Sequence, residues 1–152
     1  MSEEAKIWGI ETKMQEEEFK RIICERVTDA PFYKHMGFSV IGLGPGEAHL
    51  KMKANPRVCD ESGAVERGAI AALADAASGV SAATVFPKSS KRVVTVEQKV
   101  TFMAPVSGGE LVAIGKVLFS DENIVVSEAV VRDREGKIAA KSLATFTVVS
   151  RK

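Results

Sequence analysis

The chain has 152 residues, of which 45% are hydrophobic and 27% are charged. This length and balance predict one globular domain with a sizeable core and leave no room for a second domain. The formal net charge of +1 gives no electrostatic basis for binding nucleic acid or a membrane, because proteins of those classes usually carry a basic excess on one face. We therefore expect a small molecule, or a second copy of the chain, as the partner.

The chain offers few side chains for cross-links or metal binding. Cys24 and Cys59 are far apart in sequence, and His35 and His49 have no neighbouring ligands, so neither a disulfide framework nor a metal site is predicted, and no cofactor. The N-terminus "MSEEAKIWGIETK" lacks the apolar run of a signal peptide, and no stretch approaches the roughly 20 apolar residues of a membrane span. We expect a cytoplasmic protein that does not enter a membrane.

Residues 1–30 carry apolar side chains at intervals of mostly three and four, which predicts a helical arm within the same domain as residues 31–152. The apolar positions are Ile7, Ile10, Met14, Phe19, Ile22, Ile23 and Val27, with Trp8 and Phe19 as the expected anchors. The segment "TDAPFYKHMG" then predicts a short helix, with Thr28 or Asp29 able to cap it and Gly37 at its end.

A hairpin and a long helix are predicted next. Residues 38–43 are apolar, "GPG" at 44–46 marks a turn, and residues 47–54 alternate between a polar face and an apolar face. The polar loop "NPRVCDESGAV" leads into an Ala-rich segment. Residues 69–86 are too many for an ordinary strand and are rich in a good helix former, so they predict one long buried helix.

Four more strands are predicted after the helix, over residues 93–103, 111–119, 124–132 and 138–149. The turns "APVSGG", "SDEN" and "DREGK" separate them, and such short connections predict that successive strands are antiparallel neighbours. The fold class is therefore α+β. A long helix that is apolar nearly all round must be covered by the sheet or by a partner.

A single carboxylate interrupts the apolar helix. Asp75 is the only charged residue of "GAIAALADAASGVSAATVF", and an ionised carboxylate away from water is costly unless it is paired, hydrogen-bonded or protonated. Its neighbours one turn away are Ala71, Ala72, Ser78 and Gly79, whose small side chains leave a notch that suits a ligand. The alternative is a structural Asp75, satisfied by a backbone N–H, by Ser78 or by a facing strand.

The element order and three segments resemble the hotdog-fold acyl-CoA thioesterases of the phenylacetic-acid-pathway (PaaI-like) type. The segments are "FYKHMGFSVIGLGPGEAHL", "GAVERGAIAALADAASG" and "RVVTVEQKVTFMAPVSGGELVAIGKV", and the similarity covers residues 31–149. This resemblance implies a curved antiparallel sheet wrapped around a long central helix. It also implies active sites between two subunits, and therefore a homodimer or a homotetramer that binds acyl-CoA or a similar thioester.

The resemblance assigns roles at the start of the helix and at its carboxylate. The family opens this helix with His-Gly-Gly, and here the three positions hold Glu66, Arg67 and Gly68, with Asp75 at the catalytic position. Asp75 is then the general base or nucleophile, and the N–H groups of Arg67 and Gly68 form an oxyanion hole. Glu66 opposes an oxyanion and raises the pKa of nearby acids; alternatively, Glu66 and Arg67 pair with each other or with Asp60, which leaves the site electrically balanced.

Further residues complete the expected site. Asp60 corresponds to an Asn that many relatives carry before the motif, Thr95 corresponds to a hydroxyl residue on the strand after the helix, and Ser78 adjoins the carboxylate as a substrate contact. The basic loop "KSSKR" is a candidate for binding the phosphates of coenzyme A. Its cations are Lys88, Lys91 and Arg92.

Two functions follow from this resemblance. The first is hydrolysis of acyl-CoA thioesters, and the second is binding of acyl-CoA without catalysis, in which the replaced motif has closed down hydrolysis. A hotdog dehydratase or hydratase is disfavoured, because those relatives pair a catalytic His with the carboxylate and no His follows His49. A single curved sheet would also leave edge strands open, which favours the pairing of two copies about a two-fold axis.

Overall fold

The computed structural model describes residues 17–86 and 91–150, which form three helices and six strands. The helices are α1 (17–29), α2 (Pro31–Met36) and α3 (Arg67–Ala83). The strands are β1 (Phe38–Gly44), β2 (Glu47–Lys53), β3 (Lys91–Phe102), β4 (Glu110–Ser120), β5 (Ile124–Arg132) and β6 (Ile138–Ser150). Every predicted strand is confirmed.

One antiparallel sheet contains all six strands, in the order β1-β2-β4-β5-β6-β3. The alternation predicted for the hairpin is present, since Ala48, Leu50 and Met52 are fully buried on one face of β2. Helix α3 contacts every strand, so the sheet wraps around it. This confirms the predicted α+β class, with one long helix enclosed by one sheet.

The predicted pairing of β3 with β4 is wrong. Strand β4 lies between β2 and β5, so both of its edges are occupied, and β3 pairs with β6 at the end of the sheet. The connection between β3 and β4 therefore crosses from one part of the sheet to another. Its Val106 is buried, and the Val106 carbonyl accepts a hydrogen bond from the Val65 N–H just before α3.

Helix α3 lies close to β4 where its buried side chains are small. Ala74, Ala77 and Ser78 are fully buried, and a side chain on Gly115 of β4 would overlap the backbone of Ala77. The helix and this strand are therefore in direct backbone contact. None of the helices in the described ranges is long and apolar enough to cross a lipid bilayer.

Helix α3 begins earlier and ends earlier than residues 69–86, the range predicted for it. Its end is fixed by Thr84, whose hydroxyl donates a hydrogen bond of 2.6 Å to the Ser81 carbonyl. The same hydroxyl accepts a hydrogen bond of 2.7 Å from the N–H of Gly46 in the hairpin turn. A side-chain bond of this kind offers the backbone an alternative to another helical turn.

Helix α1 packs onto the same core as the sheet. Ile23 and Val27 belong to the main buried cluster, and Phe19 packs against it while remaining partly exposed. The described part of the predicted arm is therefore helical, as expected. Four predicted contacts of the arm, Ile7, Trp8, Ile10 and Met14, lie outside the described residues.

Helix α2 follows directly and has no side-chain cap. Ala30 occupies the capping position, and the Thr28 hydroxyl instead donates to the Cys24 carbonyl of α1, so the capping role expected for Thr28 or Asp29 is not seen. Gly37 ends α2 with a φ of 71°, as predicted, because this left-handed conformation favours glycine.

Candidate active site

The Asp75 carboxylate faces the edge strand β3. Its Oδ1 accepts a hydrogen bond of 3.0 Å from the Thr95 hydroxyl. Asp75 is partly buried, and this burial raises the pKa of its carboxyl, while the hydrogen bond from Thr95 acts in the opposite direction. A carboxylate with a raised pKa that still reaches solvent is suited to taking up and releasing a proton.

A cavity of about 230 Å³, here called the Asp75 cavity, opens beside this carboxylate. Its polar lining consists of Asp75, Thr95, Tyr33 and Arg26. Its apolar lining consists of Ile23 and Val27 of α1, Val80 and Ala83 of α3, Val93 of β3 and Phe146 of β6. The cavity therefore joins one reactive group to a largely apolar space, which is the usual character of a small-molecule site.

Tyr33 is a member of this site that sequence reasoning missed. Burial raises the pKa of its phenol, and the negative charge of Asp75 raises it further, so the hydroxyl keeps its proton and can donate. The ring is held by Phe38 and Phe32, with centroid separations of 5.4 and 6.1 Å. The sequence holds no signal for this placement, because Tyr33 and Asp75 come to line the same cavity only through tertiary packing.

A second and larger cavity, of about 440 Å³, lies at the start of α3 and is here called the helix-start cavity. Asp60, Glu66 and Arg67 line it together with Phe102 and Met103 from the end of β3. The N–H groups of Arg67 and Gly68 precede the first hydrogen bonds of the helix, and no group within the described residues accepts from them. Free N–H groups at a helix N-terminus favour a negatively charged oxygen.

The charged residues of the helix-start cavity do not neutralise one another in the chain. Among the described residues, Glu66 forms no ion pair with Arg67 or Asp60. The Asp60 carboxylate is instead part of its own loop, where Oδ1 accepts from the Ser62 hydroxyl at 2.6 Å, the Ser62 N–H at 2.8 Å and the Ala64 N–H at 3.1 Å. The bond from the Ser62 hydroxyl is the main cause that lowers the pKa of Asp60.

Three other predicted residues, Ser78, Lys91 and Arg92, line neither cavity. Ser78 is fully buried, its hydroxyl has no hydrogen-bond partner among the described residues, and it lines neither cavity. The Lys91 ammonium lies 5.5 Å from the centre of the Phe86 ring, Arg92 is exposed, and Lys88 lies outside the described residues. In residues 17–86 and 91–150, no three His, Cys, Asp or Glu side chains are grouped to bind a metal ion.

The predicted catalytic residues therefore form two separate groups on one helix. Arg67 and Gly68 occupy the first turn of α3, and Asp75 comes seven residues after Gly68, a distance of about 11 Å along the helix axis. An oxyanion donor must lie about 3 Å from the reacting oxygen, and the base must reach the attacking water or the carbonyl carbon. Within one chain, these two groups lie about two helical turns apart.

Several known proteins are similar to this chain in structure or in sequence. Thioesterase HI1161 from Haemophilus influenzae has a TM-score of 0.77 at 21% identity, covering 82% of this chain and 87% of that one. A mutant structure of phenylacetic acid degradation protein PaaI from Thermus thermophilus has a TM-score of 0.69 at 24% identity, covering 77% and 97%. "Putative esterase SSO2140" from Saccharolobus solfataricus is 28% identical over 120 residues, covering 79% of this chain and 84% of its own length.

A helix enclosed by a six-stranded antiparallel sheet thus defines a protein of the hotdog-fold class, the fold that these solved structures share. This confirms the fold that the resemblance implied. Within that class, the chain belongs to the family described as "Domain of unknown function (DUF4442)", which matches residues 16–148.

Proposed function

We propose that this protein hydrolyses acyl-CoA thioesters to the free acid and coenzyme A, at an active site shared by two copies of the chain. The observation that carries the proposal is the Asp75 carboxylate, which accepts a hydrogen bond from Thr95 and faces a largely apolar cavity. The thioesterase-superfamily fold and the esterase name of one relative support the same reaction class.

Asp75 takes the part of the base in this reaction. Water adds to the thioester carbonyl carbon while its proton passes to the Asp75 carboxylate. The tetrahedral intermediate then breaks its carbon–sulfur bond, and the proton passes from Asp75 to the sulfur of coenzyme A. In the alternative route, Asp75 attacks the carbonyl carbon directly, the carbon–sulfur bond breaks and coenzyme A leaves as its thiolate, and water then hydrolyses the resulting anhydride to the free acid and the Asp75 carboxylate. In both routes the Thr95 hydroxyl orients the carboxylate.

The start of α3 takes the part of the oxyanion hole. The N–H groups of Arg67 and Gly68 have no acceptor within the described chain, and the helix dipole adds to their attraction for negative charge. A backbone donor is retained when the side chain changes, so the replacement of a glycine by Arg67 leaves this N–H in place. Glu66 and Asp60 line the helix-start cavity together with Arg67.

The edge strand β3 joins the two copies. This strand is long, and among the described residues it has no neighbouring strand on one side. Val94 and Val96 on it are 42% and 57% exposed. Antiparallel pairing of two β3 strands about a two-fold axis places the Thr95 end of each strand beside the opposite end of the other strand. This pairing brings the Asp75 cavity of one copy to the helix-start cavity of the other. The protein is then at least a homodimer, and a homotetramer is a pair of such dimers.

We propose that the basic segment after α3 binds the nucleotide of coenzyme A. Arg92 and Lys91 begin β3, near Val93 of the Asp75 cavity, and Lys88 precedes them in sequence. Phosphate groups favour such cations, most of all the planar guanidinium of arginine.

Binding of acyl-CoA without hydrolysis is a second candidate function. The observation in its favour is the helix-start cavity, where Glu66 adds a negative charge that no described cation pairs with. Such a charge opposes an oxyanion. This candidate keeps the same ligand and the same two cavities but predicts no turnover.

The test is the release of free thiol from short, long and aromatic acyl-CoA thioesters by the purified protein. We expect turnover by the native protein and a loss of about 100-fold or more in kcat for Asp75→Asn, because the variant lacks the base. Glu128→Gln removes one exposed carboxylate from β5 and is the matched control, with unchanged turnover expected.

Full turnover by Asp75→Asn would overturn the role of this carboxylate. No turnover by the native protein, combined with calorimetric binding of a non-hydrolysable S-alkyl coenzyme A, would replace hydrolysis with the binding function.

A further inference from the structure

We propose that the Asp75 cavity is the acyl pocket of this protein, and that helix α1 and Gly79 set the size of the acyl group it accepts. This inference rests on the proposed function, because it assigns the substrate's acyl chain to the cavity beside the proposed base. It names specificity-determining residues and an acyl class.

Gly79 is placed where a side chain would reduce the pocket. It lines the Asp75 cavity one helical turn after Asp75, inside α3, where glycine is destabilising relative to alanine. A Cβ on Gly79 would lie 3.4 Å from the Phe146 ring, which is an ordinary contact, so packing does not require glycine there. The missing side chain instead leaves room next to the carboxylate, between α3 and Phe146.

Helix α1 supplies the opposite wall. Ile23 and Val27 are only 6% and 4% exposed to solvent, and both line the cavity. They come from an element outside the sheet and its enclosed helix. The size of the pocket therefore depends on α1 as well as on the sheet and α3. A substitution in α1 can change the pocket while Asp75 and Thr95 stay the same.

The lining and the volume indicate the acyl class. An apolar cavity of about 150 Å³ accommodates one benzene ring, so a cavity of about 230 Å³ fits a medium-length aliphatic acyl group or one that carries a single ring. Val80, Ala83, Val93 and Phe146 provide apolar contacts for such a group. A long fatty acyl chain would extend beyond the pocket into solvent.

The experiment measures how affinity depends on chain length, with S-alkyl coenzyme A thioethers from butyl to dodecyl as the probes. Calorimetric titration of the native protein should give an affinity gain of about fourfold for each methylene until the pocket is full, and no gain beyond that length. Gly79→Ala should move this break to a shorter chain, and Val27→Ala should move it to a longer one. Val58→Ala is the matched control, since Val58 is equally buried but lines neither cavity.

These outcomes separate the pocket from the reaction. Opposite shifts in the two variants, with an unchanged break in Val58→Ala, support the pocket, and Gly79→Ala should retain or raise the Tm. The same break in every protein overturns the inference, even if acyl-CoA is hydrolysed. A shifted break in a protein that hydrolyses no thioester supports the pocket and overturns the proposed hydrolysis.

Discussion

Burial and a hydrogen bond act on the Asp75 carboxylate in opposite directions. Burial raises the pKa because it disfavours the charged form, and the Thr95 hydroxyl lowers it because it stabilises that form. The balance leaves the pKa above the ordinary value for an aspartate. A carboxylate held in this state weakens folding at neutral pH, and such a cost is typical of a residue kept for function.

Asp75→Asn should therefore stabilise the protein at neutral pH. The folded pKa lies above the unfolded value of about 3.9, so the contribution of Asp75 to stability is complete below that pH and is lost as the pH rises through the folded pKa. We expect the variant to have the higher Tm at pH 7 and the difference to disappear as the pH approaches about 4. Thermal unfolding followed by circular dichroism measures this, and a lower Tm for the variant at pH 7 would contradict it.

The Arg67 N–H can be removed without removing the helix. Arg67 is the first residue of α3 and follows Glu66 in an extended conformation, so proline fits this position. Arg67→Pro should lower kcat by about 100-fold or more, because an oxyanion donor is lost. Arg67→Ala keeps the N–H and should retain most of the activity. Similar losses in both variants would assign the effect to the side chain.

Only part of this site could be predicted from the sequence. Asp75 is conspicuous because it is the only charge in residues 68–86, and Thr95 could be placed beside it only through resemblance to a family. Tyr33 and Arg26 were not predicted, because neither interrupts its local pattern and each reaches the cavity through tertiary packing. Ser78 was predicted from helical spacing, but its side chain points into the core.

At the scale of elements, the backbone contact between α3 and β4 limits the size of the side chain that β4 can carry at this contact. Gly115 is fully enclosed opposite Ala77 and Ser78, and only a residue without a side chain fits there. The small residues of α3 thus do more than favour a helix. They set the distance at which the helix sits inside the sheet.

Gly115→Ala should destabilise the protein by about 3 kcal/mol, at the upper end of overpacking effects, because the new methyl group meets backbone that cannot move aside. Gly44→Ala is the control, since a Cβ on Gly44 has no neighbour within 4 Å. Denaturant unfolding of the two variants measures the difference. Equal midpoints for Gly115→Ala and the native protein would contradict the close contact.

The elements themselves were more predictable than their arrangement. Alternating apolar residues predicted the strands, because a half-buried strand needs that period. The high Ala content predicted α3. The neighbour of β3 was not predictable from the short turn after Met103, because pairing depends on which edges other strands already occupy. The end of α3 depends on Thr84, whose partner Gly46 is distant in sequence.

At the scale of the whole molecule, the proposed function makes the two cavities of each chain two different halves of an active site. Asp75 and Thr95 form one half, and the start of α3 forms the other. If two copies share their sites, each half functions only with the opposite half of the partner. This arrangement can be tested without knowing the interface in detail.

Mixed dimers provide that test. One subunit carries Asp75→Asn and the other carries Arg67→Pro, each with its own affinity tag for purification of the mixed species. One of the two sites then has both halves intact, so we expect about half of the native activity, although each variant alone is nearly inactive. Mixed dimers of two differently tagged Asp75→Asn chains are the control. An inactive mixed dimer would place the whole site within one chain.

The exposed edge of β3 also affects the newly synthesised protein before it meets a second copy. A folded chain that has not yet met a second copy presents a long strand that no other strand of the described residues pairs with on one side, together with the apolar side chains Val94 and Val96. Such an edge is a template for β-aggregation, and pairing with a second copy removes it. If the protein assembles as proposed, rapid assembly protects the chain, and the yield of intact protein depends on how soon each chain finds its partner.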